Sequence, residues 1–137
     1  MTTELTTVTT RLGLQPGMIV MEMGHGDDAD EELREAIAET TGTQLVDEDY
    51  DDGQVDAVLL WFRDGDGDFT DALLDTRTYV KDDGAVLLLT PESGRSGHIE
   101  PSEISEAALA AGLQLKSSHN AAQDWTASRL LHPKAAK

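Results

Sequence analysis

The sequence predicts an α/β sandwich in which helices cover both faces of a mainly parallel sheet. Three continuous apolar runs have the composition of strands that are buried on both faces, and they lie at 18–23, 55–62 and 85–91. Helical patterns follow these runs in turn, at 30–42, 69–80 and 101–112. Towards the end of the chain, 113–120 and 125–132 alternate enough to predict an antiparallel strand pair. The predicted fold is therefore a Rossmann-like three-layer sandwich.

Glycine, proline and acidic residues mark the ends of the predicted helices. Gly42 ends the first helix, and the acidic residues before that helix suit its N-terminus: they are Asp27, Asp28 and Asp30. Pro101 and Ser102 begin the third helix, and Gly112 ends it. The sequence Asp82-Asp83-Gly84 predicts a turn directly before the third strand.

The length of 137 residues indicates one domain with a substantial core. We expect a loose arm at 1–11, the domain at 12–133 and a short tail at 134–137. The chain has no cysteine, which excludes disulfides, cysteine-ligated zinc and thiol catalysis. No apolar run is long enough to cross a bilayer, and the N-terminus lacks a secretory pattern, so a cytoplasmic protein is expected.

The formal net charge of −17 bears on the class of partner. A surface this acidic repels nucleic acid and anionic membranes, so neither is expected to bind. The charge fits a highly soluble, solvated surface, and it also fits an acidic patch that recognises a basic protein partner. Mimicry of DNA is a third interpretation, but the acidic residues form no long regular stripe. The sequence leaves the oligomeric state open.

An acidic loop with aspartate at every second position, Asp64, Asp66 and Asp68, resembles the start of a calcium loop. An EF-hand needs glycine at its sixth position and glutamate at its twelfth, whereas this chain has Phe69 and Asp75 there. The preceding residues also read as a strand and not as a helix. We therefore predict a strand-to-helix turn in which Asp68 caps the helix. A calcium-responsive protein remains an alternative.

Several stretches resemble S-adenosylmethionine-dependent methyltransferases. The sequence 16-PGMIVMEMGHG-26 is similar to their first motif, with a Pro-Gly turn, an apolar strand, an acid and then Gly-x-Gly. The stretch 47-DEDYDDGQVDAVLLW-61 resembles their acidic loop and central strand, 82-DDGAVLLLTP-91 their following strand, and 109-LAAGLQL-115 their last helix and strand. The resemblance implies a methyltransferase-like fold over most of the chain.

A more specific resemblance is to an actinobacterial family of small, acidic, uncharacterised proteins. It is carried by LVDEDYDD at 45–52, LLWFRDGDGD at 59–68, LTPESGRSGHIEPSEI at 89–104 and DWTASRL at 124–130. In that family Trp and Asp usually follow the glycine after the first strand, whereas this chain has His25 and Gly26 there. The resemblance implies no activity.

The sequence predicts only part of a cofactor site, with the glycine turn present and the adenine side incomplete. Gly24 and Gly26 supply a glycine turn, and Asp47 is the first acid available for ribose hydroxyls. Only about a dozen residues separate the first helix from the second apolar run, whereas a full βαβ unit takes about 30 or more. The unit that would close the adenine pocket is missing or reduced to Leu45-Val46. This favours a non-catalytic relative without a cofactor; a minimal methyltransferase that binds S-adenosylmethionine is the alternative.

Ligands of open α/β sheets bind beyond the carboxyl ends of the strands. The residues expected there are His25, Arg63, Asp64, Arg95 and His98. The two arginines could hold a small anion, or each could pair with neighbouring acids. His25, His98 and His119 lack the spacing of a metal motif, and Ser93 and Ser96 form no nucleophile motif, so no catalytic residue is assigned. Trp61 and Phe62 are predicted to pack in the core.

Overall fold

The computed structural model describes residues 9, 12–24, 26–27, 29–50, 53–122 and 125–131. Within these residues the chain forms five strands and three helices. They are β1 (Val20–Met23), α1 (Glu31–Thr41), β2 (Val55–Trp61), α2 (Phe69–Tyr79), β3 (Val80–Pro91), α3 (Pro101–Ala110), β4 (Gln114–Ala122) and β5 (Trp125–Leu131). Apart from Thr9, the predicted arm lies outside the described residues, and so does the predicted tail.

The sheet has the strand order β1-β2-β3-β5-β4. The first three strands are parallel, and β5 runs antiparallel between β3 and β4. The predicted mainly parallel sheet with an antiparallel C-terminal pair is confirmed. At the other edge, Val46 forms an isolated parallel bridge to Met21. Its N–H donates to Val20 O at 3.0 Å, and its carbonyl accepts from Glu22 N at 2.8 Å.

Both faces of the sheet are buried, which explains the continuous apolar runs. On one face, Val58 and Leu60 of β2 pack in a cluster with Leu73 of α2 and Ile104 of α3. On the other face, Leu59 and Trp61 pack with residues of α1 and of the segment before β1: Leu12, Leu14, Leu33 and Ile37. The three layers are therefore α1, the sheet, and α2 with α3. Trp61 and Phe62 are buried as predicted.

The turn predicted at Asp82-Asp83-Gly84 is wrong, because these residues belong to β3. The strand advances from Val80 to Ala85 while β2 advances only from Val55 to Ala57, so the extra residues form an irregularity in the ladder. A Cβ on Gly84 would lie 2.5 Å from Asp56 O. Glycine is needed at this position for close approach to β2, and not for a turn.

Local capping follows the sequence at α1, at α2 and at the C-terminus of α3. Gly42 ends α1 with φ of 80° and donates its N–H to Ala38 O at 2.8 Å. Asp68 caps α2, as predicted, because its Oδ1 accepts from Asp71 N at 2.9 Å. The third helix begins at Pro101, as predicted, although its N-cap, Glu100, makes no side-chain capping bond. After its last residue, Ala110, the predicted stop Gly112 has φ of 80°, and Leu113 N donates to Ala108 O at 2.7 Å.

We expect Asp68→Ala to lower the free energy of unfolding by about 1 kcal/mol, because the backbone N–H of Asp71, in the first turn of α2, would lose its acceptor. Urea unfolding followed by circular dichroism measures this loss. Asp64→Ala is the matched control in the same exposed loop, and its effect should stay within about 0.5 kcal/mol. Equal effects of the two substitutions would contradict the capping role.

Candidate functional site

The loops after β1, β2 and β3 meet at the carboxyl edge of the sheet, which we call the rim (residues 24–27, 62–68 and 92–98). Arg63 Nη1 donates to Gly24 O at 2.8 Å, which joins the first loop to the second. Asp64 N donates to Gly97 O at 2.9 Å, which joins the second loop to the third. The predicted convergence of these loops is present in the structure. His25 lies outside the described residues.

Gly24 sits where only glycine fits. Its φ is 77°, and a Cβ at this position would lie 2.3 Å from Trp61 O at the end of β2. The first loop therefore runs directly against the backbone of the second strand. Gly26 accepts the N–H of Ala29 at 3.1 Å, in the turn that leads to α1.

We expect Gly24→Ala to destabilise the protein by more than about 2 kcal/mol, because the left-handed conformation and the backbone clash both act there. Gly17→Ala is the control: Gly17 also has a positive φ, 91°, but a Cβ on it would meet nothing within 4 Å. Its cost should be about 1 kcal/mol, from the backbone conformation alone. Thermal unfolding of the two variants compares these costs, and a Gly24 variant as stable as the Gly17 variant would refute the close approach.

Arg63 is held by the protein's own groups. Besides Gly24 O, its Nη1 lies 3.4 Å from Trp61 O and 3.3 Å from Asp66 Oδ2. The guanidinium also stands over the Trp125 ring, 5.4 Å from its centroid. Only 18% of the side chain is exposed. The ion pair with Asp66 is of the kind that the second of the two interpretations describes, and the bond to Gly24 O also ties the first loop to the second.

The third loop contributes His98 and Arg95. The Nδ1 atom of His98 lies 2.9 Å from Pro91 O, so its N–H donates to that carbonyl, and Nε2 lies 3.4 Å from Glu100 Oε2. Arg95 is exposed, and its backbone N–H donates to Glu92 O at 3.0 Å. Among the residues with assigned positions, no group of three or more histidine, aspartate or glutamate side chains could hold a metal ion.

Glu22, the acid of the glycine motif, forms a network that sequence reasoning missed. Its two carboxylate oxygens accept from Arg34 Nε at 2.6 Å and Arg34 Nη2 at 2.7 Å. One of them also accepts from the indole N–H of Trp61 at 2.8 Å. Only 8% of the Glu22 side chain is exposed, and the hydrogen bonds to Glu22 raise the pKa of Arg34. The signal in the sequence was a single acid inside an apolar strand, opposite a helix with one arginine.

Asp47 follows the Val46 bridge and is exposed. Its Oδ1 accepts from Asp49 N at 2.9 Å, so the carboxylate caps its own turn. Within the described ranges, no hydrogen bond joins Asp47 to Gly24 or Gly26. The acid predicted for ribose hydroxyls therefore follows the residue that pairs with β1, at the edge of the sheet.

The fold is that of S-adenosylmethionine-dependent methyltransferases. The chain matches the pyocyanin biosynthetic protein PhzM with a TM-score of 0.68 and 14% identity, over 94% of this chain and 54% of that one. It matches the O-methyltransferase NcsB1 from neocarzinostatin biosynthesis, in complex with S-adenosylmethionine, with a TM-score of 0.69 and 15% identity, over 96% of this chain and 53% of that one. The match to the ribosomal protein L11 methylase from Lactobacillus delbrueckii subsp. bulgaricus has a TM-score of 0.58 and 17% identity, over 97% of this chain and 79% of that one. The chain thus spans about half the length of the first two, and likeness at these identities is likeness of fold alone.

The chain belongs to the family described as "Protein of unknown function (DUF3052)", which matches residues 9–134. Two relatives are the uncharacterised proteins Rv2239c of Mycobacterium tuberculosis (strain H37Rv) and Mb2263c of Mycobacterium bovis. Each is 46% identical over 125 residues, which is 91% of this chain and 78% of the relative. These findings confirm both resemblances seen in the sequence.

No helix within the described residues is long and apolar enough to cross a membrane.

Proposed function

We propose that this protein is a non-catalytic binding or regulatory module on a reduced methyltransferase-like fold. The observation that carries the proposal is that the glycine-loop end of the sheet is filled by the protein's own side chains. Arg34 and Trp61 donate hydrogen bonds to the two carboxylate oxygens of Glu22, and Arg63 donates one to the carbonyl of Gly24. A cofactor at this edge would compete with these contacts before it gained any of its own.

The adenosine side of the site supports the same proposal. A complete unit would add a strand and a helix after α1, which takes about 30 residues, whereas only about a dozen separate α1 from β2. Val46 contributes a single bridge in their place. The Asp47 carboxylate accepts from the backbone N–H of Asp49 in its own turn, so a ribose would have to compete with this bond.

The net charge of −17 supports a protein partner with a basic surface. A small anion is the other candidate of the same class, held through Arg63 and Arg95. The contacts of Arg63 with Gly24 and Asp66 favour the protein partner, because an anion would have to break them. The expected location remains the cytoplasm.

Two alternatives remain. A minimal S-adenosylmethionine-dependent methyltransferase is favoured by the fold and by the tight, positive-φ turn at Gly24, where a cofactor could lie close to the backbone. A calcium-responsive protein has weaker support, because Asp66 accepts from Arg63 N and Asp68 caps α2. Both carboxylates would have to leave these bonds to bind the ion.

The melting temperature with and without S-adenosylmethionine or S-adenosylhomocysteine tests the proposal. A ligand at a hundred times its dissociation constant stabilises by about 2.7 kcal/mol, which should raise the melting temperature of this domain by several degrees. We expect no rise at millimolar ligand. A rise that is lost in Asp47→Asn would overturn the non-catalytic reading in favour of the methyltransferase.

A parallel pair of scans with calcium and with a chelator tests the calcium alternative. We expect the two curves to coincide. A calcium-dependent rise that disappears in Asp64→Asn, whose side chain is exposed and lies in the same loop, would support that alternative instead.

A further inference from the structure

A cavity of about 380 Å³ lies on the α3 face of the sheet, across from the layer that holds α1. Its sheet side is lined by Thr90 of β3, by Thr126 and Ser128 of β5 and by Ser118 of β4. Ile104 of α3 is among its apolar residues. The volume falls within the range of small-molecule sites, which begins at about 300 Å³.

Hydroxyl groups interrupt an otherwise apolar sheet face at this cavity. On the same face Leu88 of β3 and Leu130 of β5 belong to the apolar cluster, yet the next inward positions towards the cavity are Thr90 and Ser128. These two residues are 1% and 0% exposed. Ser128 Oγ lies 3.3 Å from Ser118 Oγ, so the hydroxyl groups of β4 and β5 meet at this wall of the cavity. Polar groups in a largely apolar wall are favourable where a protein partner, water or a ligand reaches them.

We infer that this cavity binds a small uncharged molecule that has an apolar body and a hydroxyl or amide end. Hydroxyl groups both donate and accept, so the sheet side suits either polar end. Ile99, Ile104 and Leu115 supply apolar contact for the body. Glu92 also lines the cavity, and the chain carries a net charge of −17, so an anion is disfavoured.

The inference does not depend on the proposed function. The cavity lies on the opposite face of the sheet from Leu33 and Ile37 of α1. It shares Glu92, Ser93 and His98 with the third loop of the rim, but it is not lined by Glu22, Gly24, Arg34, Trp61 or Arg63. It would hold equally if S-adenosylmethionine bound at the glycine loop. A negative result in the melting experiment therefore leaves it intact, and a negative result here leaves the proposed function intact.

The test is a titration of the full chain, followed by two-dimensional amide NMR, with 4-hydroxybenzamide and with 4-hydroxybenzoate. The two probes have nearly the same shape and differ in charge. We expect the amide to cause saturable shifts at Thr90, Ile104, Thr126 and Ser128, and the carboxylate to bind at least about fivefold more weakly. No saturable shift with the amide, or equal binding of the two probes, would overturn the inference and leave a cavity that holds only water.

Variants of matched shape make the test specific. Thr90→Val keeps the side-chain shape and removes the hydroxyl, so it should weaken binding of 4-hydroxybenzamide about fivefold. Thr78→Val is the control on the exposed surface of α2, outside the cavity, and should leave binding unchanged. Since Thr90 is buried, Ser118→Ala at the exposed edge repeats the test with less risk to folding. Unaltered binding in both Thr90→Val and Ser118→Ala would contradict the assigned site.

Discussion

Replacing Trp61 with alanine is expected to lower the free energy of unfolding by about 3 to 5 kcal/mol. The side chain is 1% exposed, and its ring meets the Trp125 ring edge-on with the centroids 4.9 Å apart. The indole N–H is also a hydrogen-bond donor to buried Glu22. Alanine would leave a large cavity and remove that donor. A loss of this size is a large part of the 5 to 15 kcal/mol that is typical of a whole domain.

Urea unfolding followed by far-ultraviolet circular dichroism measures this loss, with Trp61→Phe as the matched control. Phenylalanine keeps a ring in the core and removes the indole N–H, so its cost should be about 1 to 3 kcal/mol. The difference between the two variants then reports packing separately from the hydrogen bond. A cost below about 1 kcal/mol for Trp61→Ala would mean that the ring does not pack as described.

The elements of the fold were predictable because their signals are local or periodic. Strands buried on both faces must be apolar throughout, and β2 and β3 are found where such runs occur. The caps at Asp68 and Gly42 form hydrogen bonds with residues no more than about one helical turn away, so the sequence around them is sufficient. The turn prediction at Asp82-Asp83-Gly84 was wrong because turn propensity competes there with pairing to β2. The local sequence does not encode that pairing.

The candidate site was predictable only in its location. Parallel strands bring their carboxyl ends to one edge, and this places Gly24, Arg63 and His98 at one rim whatever their chemistry. What these side chains are free to do depends on partners far along the chain. Arg63 donates to a backbone carbonyl 39 residues away, and every residue has such a carbonyl, so the sequence does not indicate which one accepts. Whether any of the predicted residues contacts a ligand stays a prediction.

Arg34→Ala is expected to lower the free energy of unfolding by about 1 to 3 kcal/mol, because it leaves the carboxylate of Glu22 with the Trp61 indole as its remaining side-chain partner. Glu22 is 8% exposed, so water reaches it poorly, whereas Arg34 is 28% exposed. The partial exposure of the pair keeps the cost below that of a fully buried ion pair. Glu31→Ala is the control, since it removes the other partner of Arg34, a carboxylate that is 62% exposed, and should cost about 0.5 kcal/mol or less.

Arg34→Ala also tests whether the pairing of Glu22 with Arg34 affects ligand binding at the glycine loop. If that loop is a remnant, Arg34→Ala loses stability and its melting temperature stays the same with and without S-adenosylhomocysteine. If the pairing of Arg34 with Glu22 instead holds a competent site closed, removing Arg34 frees the Glu22 carboxylate, and a ligand-dependent rise in melting temperature appears in the variant although the wild type has none. That second result would contradict the proposed non-catalytic module. Glu31→Ala, which leaves the pair of Glu22 and Arg34 intact, should have no such rise in either case.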